Sequence, residues 1–158
     1  MNLKNWNEIT DLVKKLRNQD KTIVFTNGCF DIIHAGNVQY LQEAKALGDI
    51  LVIGLNSDAS VKRLKGAERP VNDQNDRAIV LSAIKSVDYV VIFKEDTPYD
   101  IIKQIKPDIL VKGGDWPEDE IVGHDIVKAN GGIVKSLSFH PGNSSTSIIE
   151  KMKNNGKS

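Results

Sequence analysis

Long apolar runs are missing from this chain of 158 residues. None approaches the roughly 20 residues that a membrane-spanning helix needs. Cysteine is almost missing too: Cys29 stands alone, so no intramolecular disulfide can form, which fits a reducing compartment. Neither sign of charge is in excess. With 21 Lys and Arg against 21 Asp and Glu, nothing draws the chain as a whole to nucleic acid or to a membrane surface. A small anionic substrate stays open, because a local group of cations can bind it without a net positive charge. The stretch "MNLKNWNEITDLVKKL" lacks the apolar centre and small-residue cleavage site of a signal peptide, so the expected location is the cytoplasm.

Low-complexity segments, convincing repeats and linkers are also absent. One domain is therefore expected over residues 1–158, with an N-terminal helix over 1–20 and a core over 21–153. At this length folding buries about 68–70% of the surface of the unfolded chain, enough for a core without staples. The dinucleotide fingerprint G-x-G-x-x-G does not occur in 25–41, and there is no G-x-x-x-x-G-K-[ST] loop. His124 and His140 show no Cys/His spacing suited to zinc, and no metal ligands are expected from the protein.

What is present is a regular alternation. Trp6, Ile9, Leu12, Val13 and Leu16 recur at helical spacing. "KTIVFTN" reads as a buried strand, and residues 36–47 as a helix with Val38, Leu41, Ala44 and Leu47 inward. "DILVIGLN" is a second strand, apolar on both faces. Residues 57–75, with "KRLKGAERPVND", read as a long polar loop, which in a compact domain is more often functional than idle. A helix near 75–85 and the strand "DYVVIF" follow. "EDTPYDIIKQI" reads as a helix capped by Asp96 or Thr97 with Pro98 near its first turn. Then come the strand "PDILVKGGD", a helix near 118–129, the strand "GIVKSLSF" and a Ser/Thr-capped helix from "NSSTSIIEKMK". Continuous apolar strands alternating with helices predict an α/β fold: a single Rossmann-like, doubly wound parallel sheet of about five strands with helices on both faces.

Ligands of such sheets sit beyond the carboxyl ends of the strands. The polar clusters fall there: Asn27 to His34, Asn56 to Asp58, Lys112 to Asp115, and His140 to Ser147. Any one of them is explained by turn chemistry; four together point to a site. In "FTNGCFDIIHAGNVQYL" a strand breaks at Gly28 and a helix opens near Gly36, where backbone N–H groups favour an anion. His34 adds a donor for a phosphate oxygen. Cys29 has no histidine arranged as its base and reads as packing.

"GCFD" followed by "HAGN" resembles the G-x-F-D and H-x-G-H signature of the cytidylyltransferase-like nucleotidyltransferases. "LQEAKALGDILVIGLNSD" and "NSSTSII" are similar to that family's lysine-bearing helix with its following strand and to its phosphate-binding helix start. "TNGCFD", "SVKRLKG", "RPVN", "KEDTP", "VKGGDW" and "STSIIEK" resemble the D-glycero-D-manno-heptose 1-phosphate adenylyltransferases within it. The likeness runs from about residue 20 to 153. It implies transfer of AMP from ATP to heptose 1-phosphate, with Mg²⁺ bridging phosphate oxygens, giving ADP-heptose and pyrophosphate for a lipopolysaccharide inner core. It further implies a homo-oligomer and a separate sugar kinase in the pathway, since 158 residues leave no room for a kinase.

By the same resemblance His34, Lys45, Thr146 and Ser147 are the expected catalytic groups. Asn27, Gly28, Cys29, Phe30, Asp31, Gly36 and Asn37 form the expected phosphate loop. Asn56, Asp58, Lys65, Arg69 and Arg77 come from the second strand and the segment after it. Lys112, Gly113, Gly114, Asp115, Trp116 and Ser145 complete the set. Other readings stay open residue by residue. Thr146 and Ser147 are also plain N-caps. Arg63, Lys65 and Arg69 are either a solvated charged loop or a clamp on triphosphate or sugar phosphate. Asp58 is a cap or a ligand, Arg77 a surface charge or a phosphate contact, and Trp116 a partly buried anchor or a nucleotide contact.

Asn37 departs from the family's second histidine: its amide donates, but it cannot become cationic. Losing one preorganised donor costs about 3–4 kcal/mol at the transition state, and an asparagine loses less. A tolerated natural variant, an engineered weakening and an inactive homologue all remain open. Two rival functions do as well: a cytidylyltransferase for glycerol 3-phosphate or a similar alcohol phosphate, and a nucleotide-binding regulator without turnover.

Overall fold

The computed structural model describes residues 2–138 and 144–156. Its chain order is β1 (Leu3–Lys4), α1 (Trp6–Asn18), β2 (Ile23–Gly28), α2 (Ala35–Lys45), β3 (Ile50–Asn56), α3 (Asp58–Lys65) and α4 (Gln74–Ser82). There follow β4 (Tyr89–Phe93), α5 (Tyr99–Ile105), β5 (Ile109–Gly113), a 3-10 turn (Glu118–Glu120), α6 (His124–Ala129), β6 (Ile133–Leu137) and α7 (Ser145–Asn155). The strands form one parallel sheet of order β1-β4-β3-β2-β5-β6. The count is six rather than the expected five. The extra strand, Leu3–Lys4, pairs with Val90 and Val91 at the sheet edge. Two residues carry no readable period, so only tertiary pairing reveals it.

Alternation along the strands divides the core between the two faces. From β2, Ile23 and Phe25 join Ile9 and Val13 of α1 and Ile101, Ile102 and Ile105 of α5 on one face. Val24 joins Leu51, Ile53 and Leu55 of β3, Tyr40, Leu41 and Ala44 of α2, and Ala78 and Leu81 of α4 on the other. Each such large side chain contributes about 1.5–3 kcal/mol by leaving water. No helix among the described residues is long and apolar enough to cross a membrane.

At the amino ends of the strands a short pattern recurs: Asp49, Asp88 and Asp108 each stand just before a strand. Each carboxylate accepts the N–H of a residue at the start of a neighbouring strand: Asp49 from Thr22 at 2.7 Å, Asp88 from Leu51 at 2.7 Å, and Asp108 from Ile23 at 2.8 Å. These bonds fix strand register at the end of the sheet opposite the polar clusters.

Several element boundaries differ from the sequence reading. The polar stretch expected as loop over 57–75 contains α3, capped by the Ser57 side chain on Ser60 N–H. It buries only Ser60 and Val61, so its helical period is nearly invisible. The cap of α5 is Pro98, with no side-chain cap bond, rather than Asp96 or Thr97. The helix expected over 118–129 is split, because Gly123 takes a left-handed φ of 91° between the 3-10 turn and α6. α7 is capped by Ser144, with Ser147 closing a reciprocal box, rather than by Thr146. The clustered His140 lies outside the described residues.

Candidate active site

The strand order reverses at β2, which has β3 on one side and β5 on the other. Beyond the carboxyl ends of these strands lies a cavity of about 770 Å³. From β2 and the turn after it come Asn27, Gly28, Cys29, Phe30, Asp31 and His34, and from α2 come Gly36, Asn37 and Tyr40. The opposite wall is Ser144, Ser145, Thr146 and Ser147 at the start of α7, with Lys112 and Gly113 at the end of β5. Two eleven-residue helices, α2 and α7, therefore open into one space with their N-termini. Three cations, Lys65, Arg69 and Lys112, line the same space. Oriented N–H groups and cations together favour an anion of several charges.

The turn after β2 is held in an unusual shape. Phe30 is buried with a φ of 44°, a left-handed conformation that non-glycine residues seldom adopt. A Cβ at Gly28 would come within 2.8 Å of the Phe30 ring, so glycine there serves packing. Next to Phe30 the Asp31 carboxylate is fully buried. It accepts from Val71 N–H at 2.9 Å, Asn72 N–H at 3.0 Å and Arg69 Nε at 2.8 Å. Burial pushes the Asp31 carboxyl up, but these backbone and guanidinium donors outweigh it and hold the pKa below the usual range. Asp31 is thus a clasp between the turn and residues 69–72, and its oxygens are occupied. The clasp aims Arg69, whose Nη1 reaches Thr146 Oγ1 at 3.5 Å.

Arg77 differs most from the sequence reading. It is almost completely buried and donates to Asn72 O at 3.0 Å, Cys29 O at 2.7 Å, Asn56 O at 2.8 Å and Asp58 Oδ1 at 2.8 Å. It ties the ends of β2 and β3 to the segment before α4 and does not line the cavity. Asp58 is its partner and lies outside the cavity as well. Asn56 lines the cavity, yet its side-chain amide is given to Ser60 at 3.0 Å.

Lys45 also falls elsewhere. It sits at the C-terminal end of α2, on Asp88 at 2.5 Å and Asp49 O, whereas the cavity lies at the N-terminal end. Eleven residues of helix separate the two by about 15 Å at 1.5 Å per residue. Arg63 turns to Asp96 at 2.7 Å and to Lys94 O. Gly114, Asp115 and Trp116 follow β5 outside the lining. The Lys112 ammonium rests 5.1 Å from the centre of the half-exposed Trp116 ring.

At the α7 end, Ser145 Oγ donates to Ile32 O at 2.8 Å and accepts Ile32 N–H at 3.2 Å, joining the two helix starts. Burial pushes the Cys29 thiol up despite the nearby Lys65, Arg77 and Arg69, which agrees with a packing role. Tyr40, pushed up to about 12 by burial, shares a 2.6 Å bond with Thr26 under the turn.

Sequence reasoning left out Tyr40, Leu64, Asp96, Thr97, Pro98 and Val122 as site residues and named Ser144 only within the cluster from His140 to Ser147; all of them line the cavity except the part of that cluster outside the described residues. Asp96, Thr97 and Pro98 follow β4, and the strand-end rule applied to that strand finds them. Tyr40 lies three residues after Asn37, on the same helix face. Leu64 and Val122 have no signal short of the fold.

The family model described as cytidylyltransferase-like matches residues 25–151. The chain is 57% identical over 151 residues to the bifunctional protein HldE of Nitratiruptor sp., covering 96% of this chain and 32% of that one. It is 56% identical over 145 residues to the bifunctional protein HldE of Wolinella succinogenes, covering 92% and 30%. The chain thus spans about a third of the length of these curated relatives. Among solved structures, the lipopolysaccharide core biosynthesis protein from Thermoplasma volcanium aligns with a TM-score of 0.63 and 30% identity, covering 76% of this chain and 97% of that one. The pantoate-beta-alanine ligase from Francisella tularensis, at 14% identity and a TM-score of 0.62 over 97% of this chain and 77% of its own, shares the fold.

Proposed function

Since the chain belongs to the cytidylyltransferase-like family, we propose that it transfers AMP from ATP to D-glycero-D-manno-heptose 1-phosphate, giving ADP-heptose and pyrophosphate. The observation that carries nucleotidyl transfer is the convergence of two helix N-termini and three cations on one cavity. The heptose reading is supported by the motifs quoted above, by the similarity to the HldE proteins, and by a solved relative named for lipopolysaccharide core biosynthesis. A cavity of this volume is within the usual range for small-molecule sites.

In this reaction an oxygen of the sugar phosphate bonds to the α-phosphorus of ATP, and the bond from that phosphorus to the β-bridging oxygen breaks. The nucleophile is already anionic, so the protein needs neither a nucleophile nor a strong base. Its work is alignment and stabilisation of charge spread over the phosphate oxygens. The N–H groups at the starts of α2 and α7, the His34 ring, Arg69, Lys65 and Lys112 would do it. Mg²⁺ fits this scheme on the substrate rather than on the protein. Among the described residues no group of three carboxylate, His or Cys ligands exists. The cavity carboxylates Asp31 and Asp96 are taken by Arg69 and Arg63. On this reading the reaction is cytoplasmic, where ATP is made, and a sugar kinase, fused or separate, would supply the 1-phosphate.

The test is pyrophosphate release with ATP, CTP or GTP against heptose 1-phosphate or glycerol 3-phosphate. Turnover with ATP and heptose 1-phosphate is expected. Turnover confined to CTP and glycerol 3-phosphate would overturn the substrate assignment, and ATP binding with no product would leave a regulator.

A further inference from the structure

α2 begins with two residues that hold each other. His34 is its N-cap, in extended conformation with φ −136° and ψ 173°. The Asn37 N–H, shared with His34 O at 3.0 Å, points to the His34 ring nitrogen Nδ1 at 3.3 Å. In return the Asn37 side-chain oxygen Oδ1 accepts the His34 N–H at 3.3 Å. This is a capping box in which imidazole stands in for the usual hydroxyl and Asn for the usual Glu or Gln.

The consequence is chemical. A ring nitrogen that accepts a hydrogen bond carries no proton, so the proton of the neutral imidazole sits on Nε2. Nε2 has no partner among the described residues, and the ring lines the cavity. Burial also holds the His34 pKa below the ordinary histidine value, favouring the neutral ring. An imidazolium would turn Nδ1 into a donor facing the Asn37 N–H and break the cap.

We infer that Asn37 is a positioning residue: its side-chain oxygen and main-chain amide lock His34 as the Nε2–H form, so that His34 meets substrate phosphate as a neutral donor. The cationic share is carried by Lys65, Arg69 and Lys112 on the other walls of the cavity. The inference rests on the nucleotidyl-transfer reading for its substrate, but not for its readout. On this view Asn37 does not stand as a diminished second histidine; it has a separate task that a cap oxygen performs.

The experiment is nitrogen-15 NMR of the histidine rings at neutral pH, on the parent, Asn37→Ala and Asn37→Gln, with kcat and KM for ATP measured on each. Only three histidines are present, His34, His124 and His140, and the resonance lost in His34→Gln assigns His34. The parent is expected to show a protonated Nε2 and a bare, accepting Nδ1, with Nε2 moving on addition of ATP. Asn37→Ala keeps the main-chain N–H that faces Nδ1 but loses the oxygen that holds the His34 N–H, so the cap should loosen, the second tautomer should appear beside the first, and kcat should fall about tenfold, the worth of one misaimed hydrogen bond. Asn37→Gln, whose oxygen can reach the same N–H, should restore the tautomer and kcat to within about threefold. A protonated Nδ1 or an imidazolium in the parent would overturn the inference, as would an unchanged tautomer in Asn37→Ala. Absence of turnover with every substrate pair would count against the proposed function alone, since the ring spectrum is read without turnover.

Discussion

Replacing Arg77 by lysine keeps the charge and most of the side-chain length but removes the fork of donors. In the structure that fork meets four acceptors in different directions: Asn72 O at 3.0 Å, Cys29 O at 2.7 Å, Asn56 O at 2.8 Å and Asp58 Oδ1 at 2.8 Å. A lysine has three donors on one nitrogen, and one nitrogen cannot stand within 3 Å of all four sites. Two of the acceptors lose their partner, and each orphaned, buried carbonyl costs about 1–3 kcal/mol. The expected loss in Arg77→Lys is therefore about 2–6 kcal/mol, a large part of the stability of a domain this size. Urea unfolding followed by circular dichroism should show a lower midpoint at nearly the same slope. Because Arg77 grips the carbonyls of Cys29 and Asn56, at the ends of two cavity-forming strands, the KM for ATP should rise as well. The reasoning would be refuted by a variant that unfolds within about 1 kcal/mol of the parent while kcat collapses. That outcome would make Arg77 a phosphate ligand, as the sequence resemblance suggests.

Two further outcomes follow from the ion pairs. The Asp31 carboxyl has a folded-state pKa below its ordinary value of 3.8, so its stabilising contribution is complete above that value and disappears as the pH falls through the folded-state pKa. Asp31→Asn should accordingly be least stable relative to the parent above the ordinary value of 3.8, with the gap closing as the pH falls through the lower folded-state pKa, as read from urea midpoints across the acid range. A gap independent of pH would show that the clasp does not depend on the carboxylate charge. Lys45→Ala should change kcat/KM less than about threefold and cost about 1 kcal/mol, the scale of a partly exposed pair; a loss of a hundredfold would put its ammonium on the phosphates instead of Asp88.

Lys45 and Arg77 also show where sequence reading stops. The alternation of apolar strands with helices made the layers and the strand ends where the cavity lies legible, because burial on both faces leaves continuous apolar runs. The turn from Gly28 to Asn37 was legible because its chemistry is local: a glycine, a cap and a helix start within ten residues. Lys45 and Arg77 were not legible in the same way. Their partners Asp88 and Cys29 lie 43 and 48 residues away, and only the strand order β4-β3-β2 brings them together. A charged residue near a motif looks the same in sequence whether it faces the ligand or binds the scaffold. β1 and α3 were missed for the opposite reason, being too short or too polar to leave a period.

The carboxylates of Asp49, Asp88 and Asp108 sit at the foot of the sheet, away from every residue that lines the cavity. The chain thereby separates the part that must stay the same from the part that can change. Register is set at one end by side-chain bonds that lie away from the cavity, while turns, helix starts and a few cations line the cavity at the other. Walls such as Leu64, Pro98 and Val122 take no part in those register bonds, so substituting them should leave the strands aligned. For an engineer this makes the foot of the sheet a fixed chassis and its rim a place for libraries.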